Sequence, residues 1–225
     1  MAEFRFVRDI PAIPGAEGVF LVKGDCRSAA ETILPEAEAR RAAGMSSESA
    51  REAFLAGRRI VRRVLGEMLS LAPESVPIVL EERGRPVLEG GCGLFFSISH
   101  SGNAVMAAFS REPLGIDVEG ERPLDAVGLS RRFFSREEAD AVERDPALFL
   151  PLWTAREAAM KGDGRGMAAL LGITSGIPSP AGFTVRIGDV IWETCFWREA
   201  GIVASLAVRR LPEVILWSDP LQLVG

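Results

Sequence analysis

Residues 95–120, FFSISHSGNAVMAAFSREPLGIDVEG, contain two strand-like runs that each carry polar groups. In the second run, apolar residues alternate with Gly115, Asp117 and Glu119, so the two-residue period of a strand places both carboxylates on one face. Positions two apart in a strand are separated by about 6.5 Å, and like charges that close raise each other's pKa. A hard cation such as Mg²⁺ between them relieves the repulsion. The alternative is a pair of solvated charges on an edge strand.

The first run ends in a group of potential phosphate-binding residues. Ser97 and Ser99 alternate with apolar residues, and His100, the only histidine of the chain, is followed by Ser101 and Gly102. An imidazole, a hydroxyl and backbone N–H groups can all donate hydrogen bonds to a phosphate. The alternative is a histidine with a purely structural role. The presence of both runs in one stretch favours the functional interpretation.

A third motif, WTAREAAMK at Trp153–Lys161, has the pattern of a helix start. Thr154 and Glu157 have the spacing of a capping box, which predicts that a helix begins there, and Gly162 predicts its end. Glu157 and Lys161 lie one helical turn apart and therefore share a face. The structural interpretation is a capping glutamate with an i,i+4 ion pair. The functional interpretation is a third metal-binding carboxylate, or a catalytic base, with a cation beside it, and both interpretations can hold together.

In this order the motifs resemble the signature of the 4′-phosphopantetheinyl transferases of the Sfp type. The matching segments are SISHSG at Ser97–Gly102, GIDVE at Gly115–Glu119 and WTAREAAMK at Trp153–Lys161. Upstream, Gly84-Arg85-Pro86 resembles the Gly-Lys-Pro segment of that family. Each motif alone has low specificity, whereas four motifs in the family's order are a specific signal.

The resemblance implies an α+β fold built from two similar α+β halves that are related by a pseudo-twofold axis, with the active site in the cleft between them. It places an N-terminal half, which contacts the phosphates of coenzyme A, at residues 1–110. The C-terminal half, at residues 111–225, is expected to hold the metal site and the catalytic helix.

The resemblance also implies a Mg²⁺-dependent reaction. The enzyme would transfer the 4′-phosphopantetheine group of coenzyme A to a serine of an apo acyl carrier or peptidyl carrier protein and release adenosine 3′,5′-bisphosphate. By resemblance, Asp117, Glu119 and Glu157 bind the metal, and Glu157 and Lys161 are the catalytic residues. The proton of the serine would go to Glu157 or to a water held by the metal. A cationic site suits such chemistry because the pyrophosphate of coenzyme A concentrates negative charge.

Binding of coenzyme A is expected, again by resemblance, to involve residues from several segments: His100, Ser99, Arg85, Arg51, Arg58 and Lys161. The two residues Arg51 and Arg58 belong to a segment whose apolar residues recur at helical spacing, so a solvated basic face is the alternative for them. An ordinary turn arginine is the alternative for Arg85. It stands where the family often has lysine, as does Arg156, and a guanidinium offers a fork of donors in place of a point charge.

Two other functions remain open at this level. A metal-dependent hydrolase acting on a nucleotide or on the coenzyme A pyrophosphate would use the same acids and lysine but no carrier protein. A non-catalytic coenzyme A-binding module is the second alternative, and it is disfavoured because no expected acid is missing.

The composition is that of a globular chain of 225 residues with 26 basic and 31 acidic residues and a net charge of −5, which argues against nucleic acid as a partner. The first residues lack a secretory signal, and no segment has the length of a membrane span. We therefore expect a cytoplasmic protein with no membrane partner. A monomer is expected separately, because these sequence features do not bear on the oligomeric state. The three cysteines are scattered and indicate neither a disulfide framework nor a zinc site.

Beyond the motifs, the pattern predicts a few more elements. Ser135 and Glu138 have capping-box spacing, which predicts a helix to about Val142. The segment 120–128 reads as an exposed connection. Strands are predicted at 183–187, 190–196, 201–209 and 214–217.

Overall fold

The computed structural model describes residues 2–11, 18–27, 32–91, 93–165, 173–175 and 183–219. Within these residues the strands are β1 (Glu3–Phe6), β2 (Val19–Asp25), β3 (Ile78–Leu80), β4 (Pro86–Leu88), β5 (Phe95–Ser101), β6 (Ala104–Ser110), β7 (Leu114–Gly120), β8 (Ile173–Ser175), β9 (Phe183–Ile187), β10 (Val190–Glu199), β11 (Ile202–Val208) and β12 (Val214–Ser218). The helices are α1 (Glu36–Ala43), α2 (Glu48–Leu69), α3 (Ala126–Phe133), α4 (Arg136–Arg144) and α5 (Phe149–Asp163). The expected α+β class is confirmed. No helix of the described residues is long and apolar enough to cross a bilayer.

The chain divides into two compact units between Glu112 and Pro113. The C-terminal unit is Pro113–Glu213, whereas the last strand, β12, belongs with residues 3–112 in the N-terminal unit. The expected division assigned all of 111–225 to one half. The structure differs at β12 because this strand pairs in parallel with both β1 and β2, so its main-chain hydrogen bonds are made in the N-terminal unit.

The N-terminal unit is a five-stranded sheet, in the order β1-β12-β2-β6-β5, packed against α2. Ser47 caps α2 by accepting a hydrogen bond from the backbone N–H of Ala50. Gly57 lets the helix approach the sheet, because a Cβ there would lie 2.9 Å from the side chain of Ile98. The strand order places β5, which carries Ser99, His100 and Ser101 of the motif, at one edge of the sheet.

The C-terminal unit is a five-stranded antiparallel sheet, in the order β7-β11-β10-β9-β8, with α5 packed across β7 and β11. Gly115 permits this packing, since a Cβ at that position would lie 1.9 Å from the carbonyl oxygen of Ala158. The hydroxyls of Thr154 and Ser205 form a buried hydrogen bond of 2.7 Å between the helix and β11. The glycine-containing face of β7 is therefore covered by α5.

The predicted start of this helix at Thr154 is wrong. The helix α5 begins at Phe149, directly after the 3-10 turn Pro146–Leu148, and the Thr154 hydroxyl donates to the Leu150 carbonyl inside the helix. Burial of Phe149 and Leu152 in the core extends the helix beyond the apparent cap. Glu157 therefore lies in mid-helix and has no capping role.

Other helix boundaries agree better with those predicted from the sequence. The capping box at Ser135 is confirmed, with hydrogen bonds between Ser135 and Glu138 in both directions. The connection predicted over 120–128 is shorter than expected, because Asp125 caps α3 by accepting from the Gly128 backbone N–H.

Arg156 ties the helices of the C-terminal unit together. Its guanidinium donates to Glu138 at 2.6 Å, to the Phe133 carbonyl at 3.0 Å and to the Ile173 carbonyl at 3.4 Å. The side chains of Arg156 and Glu138 are only 1% and 2% exposed. Burial opposes ionisation of Glu138, but hydrogen bonds from Ser135 and the charge of Arg156 outweigh it and lower the pKa of this carboxyl.

Replacement of Arg156 by Ala is expected to lower the free energy of unfolding by about 3–5 kcal/mol, because it leaves the Glu138 carboxylate buried without its cation. Since the folded-state pKa of Glu138 is lowered, the pair stabilises the fold above the ordinary value of 4.5 and loses its effect as the pH falls. The difference in the free energy of unfolding between the original protein and Arg156→Ala should therefore decrease below about pH 4.5. Urea unfolding at several pH values measures it.

The matched control is Arg131→Ala, because Arg131 forms an exposed ion pair with Glu143 at 2.8 Å in the same unit. Such a pair contributes about 0–1 kcal/mol. An Arg156→Ala protein no less stable than Arg131→Ala would contradict the role assigned to the buried pair.

Candidate functional site

The acidic face of β7 lies under α5. Asp117 is 6% exposed, and its Oδ1 accepts a hydrogen bond of 2.7 Å from the Lys161 Nζ of α5. Because Gly115 and Asp117 both contact α5, the predicted alternation of β7 is confirmed at these two positions. The glycine sets the separation between strand and helix, and the aspartate two positions further along meets the lysine.

Glu157 lies one helical turn before Lys161 and is half-buried. Its pKa is raised to about 7, first by burial, then by the negative charge of Asp117, with a smaller contribution from Glu119, while Lys161 acts in the opposite direction. The two acids of β7 and the glutamate of α5 therefore act on one another electrostatically. A carboxyl with a pKa near 7 can exchange a proton at neutral pH.

Glu119 has a cationic neighbour that the sequence did not single out. The Nη1 of Arg122 lies 2.9 Å from the Glu119 Oε2 and also donates to the Gly120 carbonyl at 3.3 Å. In the sequence, the only indication of this contact is a basic residue three positions after the second acid of the motif. Its significance depends on the direction of the chain after β7, which the pattern does not predict.

Within the described parts of the chain, no three Asp, Glu, His or Cys side chains are arranged as a ready-made metal cage. The β7 acids instead contact cationic side chains, Asp117 that of Lys161 and Glu119 that of Arg122. The donor chemistry nevertheless fits a hard divalent cation, because Asp117, Glu119 and Glu157 offer only carboxylate oxygens and the charges of Asp117 and Glu119 raise the pKa of Glu157.

A cavity of about 330 Å³ lies in the C-terminal unit where the chain leaves β7. It is lined by apolar residues around Leu124 and Phe149 and by the charged residues Glu121, Arg122 and Arg198. Arg198 is fixed by ion pairing with Glu121 and by a hydrogen bond of 2.6 Å to the Ala147 carbonyl.

In the N-terminal unit, His100 lies near the end of the edge strand β5 with an exposed side chain, and Ser99 beside it is buried. Gly102 follows in the turn to β6 with a φ of 56°, a conformation that favours glycine. The structure thus places the imidazole on the surface, where a ligand can reach it.

The three predicted arginines lie on different parts of the N-terminal unit, each near a glutamate. Arg51 pairs with Glu48 in the first turns of α2 at 2.7 Å. Arg85 forms a two-point contact with Glu81 in the β3–β4 hairpin at 2.8 and 3.1 Å.

Arg58 has a different environment from Arg51 and Arg85. It is 5% exposed and lies 3.6 Å from Glu38, and burial is the main cause of a lowered pKa. Neighbouring Arg62 donates to the same glutamate at 2.7 and 3.1 Å, so Arg58 is part of the contact between α1 and α2.

Two family models match the chain, one in each unit. The model described as the 4′-phosphopantetheinyl transferase N-terminal domain matches residues 37–110. The model described as the 4′-phosphopantetheinyl transferase superfamily matches residues 113–195, which include β7 and α5. The chain therefore belongs to the 4′-phosphopantetheinyl transferase superfamily, as the motifs predicted.

Individual relatives agree with this assignment. The chain is 33% identical to the 4′-phosphopantetheinyl transferase psf-1 of Bacillus pumilus over 60% of each chain. It is 37% identical to HetI of Nostoc sp. over 53% of this chain and 55% of the relative. It is 34% identical to AcpT of Salmonella typhi over 57% of this chain and 67% of the relative. The chain thus covers roughly three fifths of the length of these relatives.

The raised pKa of Glu157 gives a prediction for the protein in EDTA. Between the ordinary value of 4.5 and about 7 the folded state binds more protons than the unfolded state, so this residue makes the free energy of unfolding fall as the pH rises. Glu157→Gln removes that contribution. The variant should therefore gain stability relative to the original protein between pH 5 and pH 8, as measured by urea unfolding.

Glu137→Gln is the control, since Glu137 is an exposed residue of α4 in the same unit. A stability difference between Glu157→Gln and the original protein that does not change from pH 5 to pH 8 would show that the carboxyl has an ordinary pKa.

Proposed function

We propose that the protein transfers the 4′-phosphopantetheine group of coenzyme A to a serine of an apo acyl carrier or peptidyl carrier protein. The main support is the contact of Lys161 with Asp117, next to a Glu157 whose pKa is near 7. A cation, a proton acceptor and metal-binding carboxylates are the groups that phosphoryl transfer requires. Membership of the superfamily and the names of the relatives support the same activity.

In this proposal Asp117, Glu119 and Glu157 hold Mg²⁺. The bound metal would supply positive charge for the oxygens of the pyrophosphate. The carboxylates are suited to the ion because they lie on a rigid strand and on the helix packed against it. The burial of Asp117 makes its charge costly without a cation nearby, and Lys161 provides one in the described structure.

The reaction forms a bond from the serine oxygen to the phosphorus that carries the pantetheine arm. The bond from that phosphorus to the bridging oxygen breaks, and adenosine 3′,5′-bisphosphate leaves. Glu157 is proposed to accept the proton of the serine through its carboxylate. Lys161 balances negative charge on the transferred phosphate, and its contact with Asp117 directs its ammonium to the acidic face.

In the N-terminal unit, His100, Ser99, Arg85 and Arg51 are proposed to bind the phosphates of coenzyme A. The exposed imidazole of His100 and the surface position of Arg51 support their roles. The contribution of Arg58 is assigned to the α1–α2 contact, because its guanidinium is buried against Glu38.

The decisive experiment incubates the protein with coenzyme A, Mg²⁺ and a panel of apo carrier proteins, and measures the mass of each carrier. A carrier that gains one phosphopantetheine group supports the proposal. Release of adenosine 3′,5′-bisphosphate without a carrier product would identify a hydrolase, and binding of coenzyme A without turnover would identify a binding module.

Asp117→Asn is expected to reduce transfer by at least about 100-fold, the scale of losing one preorganised electrostatic contact. The amide keeps the shape of the side chain and can still accept from Lys161, but it lacks the negative charge needed to hold Mg²⁺. Carrier mass measured over time gives the rate, and circular dichroism checks the fold. Transfer at the original rate by a folded Asp117→Asn protein would rule out the metal assignment.

His100→Ala is expected to raise the KM for coenzyme A with little change in kcat, because the imidazole is assigned to binding and not to proton transfer. The control is Arg5→Ala, since Arg5 is an exposed cation on β1, at the opposite edge of the same sheet. A loss of kcat at saturating coenzyme A would instead assign His100 to the chemical step.

A further inference from the structure

We infer that Arg122 competes with the divalent metal for Glu119, so that its guanidinium must leave this carboxylate when the metal binds. The inference rests on the proposed function in one respect, since it takes Glu119 as a metal ligand. No part of the transfer reaction described above uses Arg122.

The guanidinium of Arg122 has the properties of an exchangeable counterion for the Glu119 carboxylate. The Nη1 of Arg122 lies 2.9 Å from the Glu119 Oε2, and the same nitrogen donates to the Gly120 carbonyl at 3.3 Å. The Glu119 side chain is 25% exposed, whereas that of Arg122 is 59% exposed. The carboxylate is thus held on the strand while the guanidinium remains accessible to water, which lowers the cost of releasing it.

The structure also provides space for the released side chain. Arg122 lines the cavity of about 330 Å³ at the end of β7, on a segment whose backbone is fixed on either side. Glu121 is held by its backbone hydrogen bond to the Gly201 carbonyl and by its ion pair with Arg198. Asp125 is held as the cap of α3. The exchange therefore requires a change of side-chain rotamer and no movement of the chain.

The effect of this competition on the dissociation constant of the metal can be estimated. An exposed ion pair contributes about 0.2–1 kcal/mol, which corresponds to a change of about 1.4- to 5-fold in a dissociation constant. Removing Arg122 should tighten metal binding by a factor in this range. The effect differs from that of Lys161, whose removal would also remove the cation proposed to act on the phosphate.

The test is the dissociation constant for Mn²⁺, measured by calorimetry and by electron paramagnetic resonance at low ionic strength without coenzyme A. Arg122→Gln is expected to bind Mn²⁺ about 1.4- to fivefold more tightly than the original protein, and Arg122→Lys is expected to lie between them. Low ionic strength is used because salt screens exposed ion pairs.

Arg131→Gln is the matched control. Arg131 pairs with Glu143 at 2.8 Å and is 60% exposed, so the variant removes the same charge from an equivalent surface pair in the same unit. Its affinity for Mn²⁺ should equal that of the original protein. If Arg122→Gln and Arg131→Gln both bound Mn²⁺ more tightly by the same factor, the change in net charge would explain the effect. That result would overturn the inference.

The remaining outcomes separate the inference from the function on which it rests. Unchanged or weaker Mn²⁺ binding by Arg122→Gln, with binding by the original protein intact, overturns the competition alone. Absence of Mn²⁺ binding by every protein overturns the metal assignment and the inference with it. The carrier-mass assay tests group transfer independently of either result.

Discussion

The close packing of α5 on β7 is the constraint on which the candidate site depends. A side chain at Gly115 would overlap the backbone of α5 at Ala158, so only glycine allows this separation of strand and helix. Given that separation, Asp117 lies within hydrogen-bond distance of Lys161. The electrostatic effect of Asp117 on Glu157 follows from the same packing, because the glutamate is one turn from the lysine. A larger residue in place of the glycine would move all three charged groups apart.

The position of α5 is fixed at a second point by Arg156. This residue looks like a variant of a catalytic-motif lysine, but its guanidinium binds Glu138 and two backbone carbonyls in the interior of the C-terminal unit. An arginine can make these three contacts because its donors point in several directions in one plane, whereas a lysine offers a single nitrogen. The motif therefore joins two kinds of residue. Glu157 and Lys161 are the residues proposed for the chemistry, whereas Arg156 holds α5 in place through its contacts with Glu138 and the two carbonyls.

Much of this arrangement could be predicted from the sequence, and the failures have physical causes. The alternation in β7, the capping box at Ser135 and the late strands are local patterns, and the structure confirms them. The start of α5 was missed because burial of Phe149 outweighed the apparent cap at Thr154. The return of β12 to the N-terminal unit depends on pairing with strands roughly 200 positions away, about which a local pattern carries no information.

The charged groups of the site show how these acids are stabilised without a metal and how the proposed metal would act on them. Burial of Asp117 and half-burial of Glu157 would make two full negative charges costly, and the structure reduces that cost in two ways. Lys161 supplies a positive charge at Asp117, and the raised pKa lets Glu157 take up a proton near neutral pH. The proposed divalent cation would supply both effects at once, because its charge would replace the proton on Glu157 and add to the positive charge of Lys161. Binding of the proposed metal should therefore release a proton, so its affinity should depend on pH through the same packing that raises the pKa of Glu157.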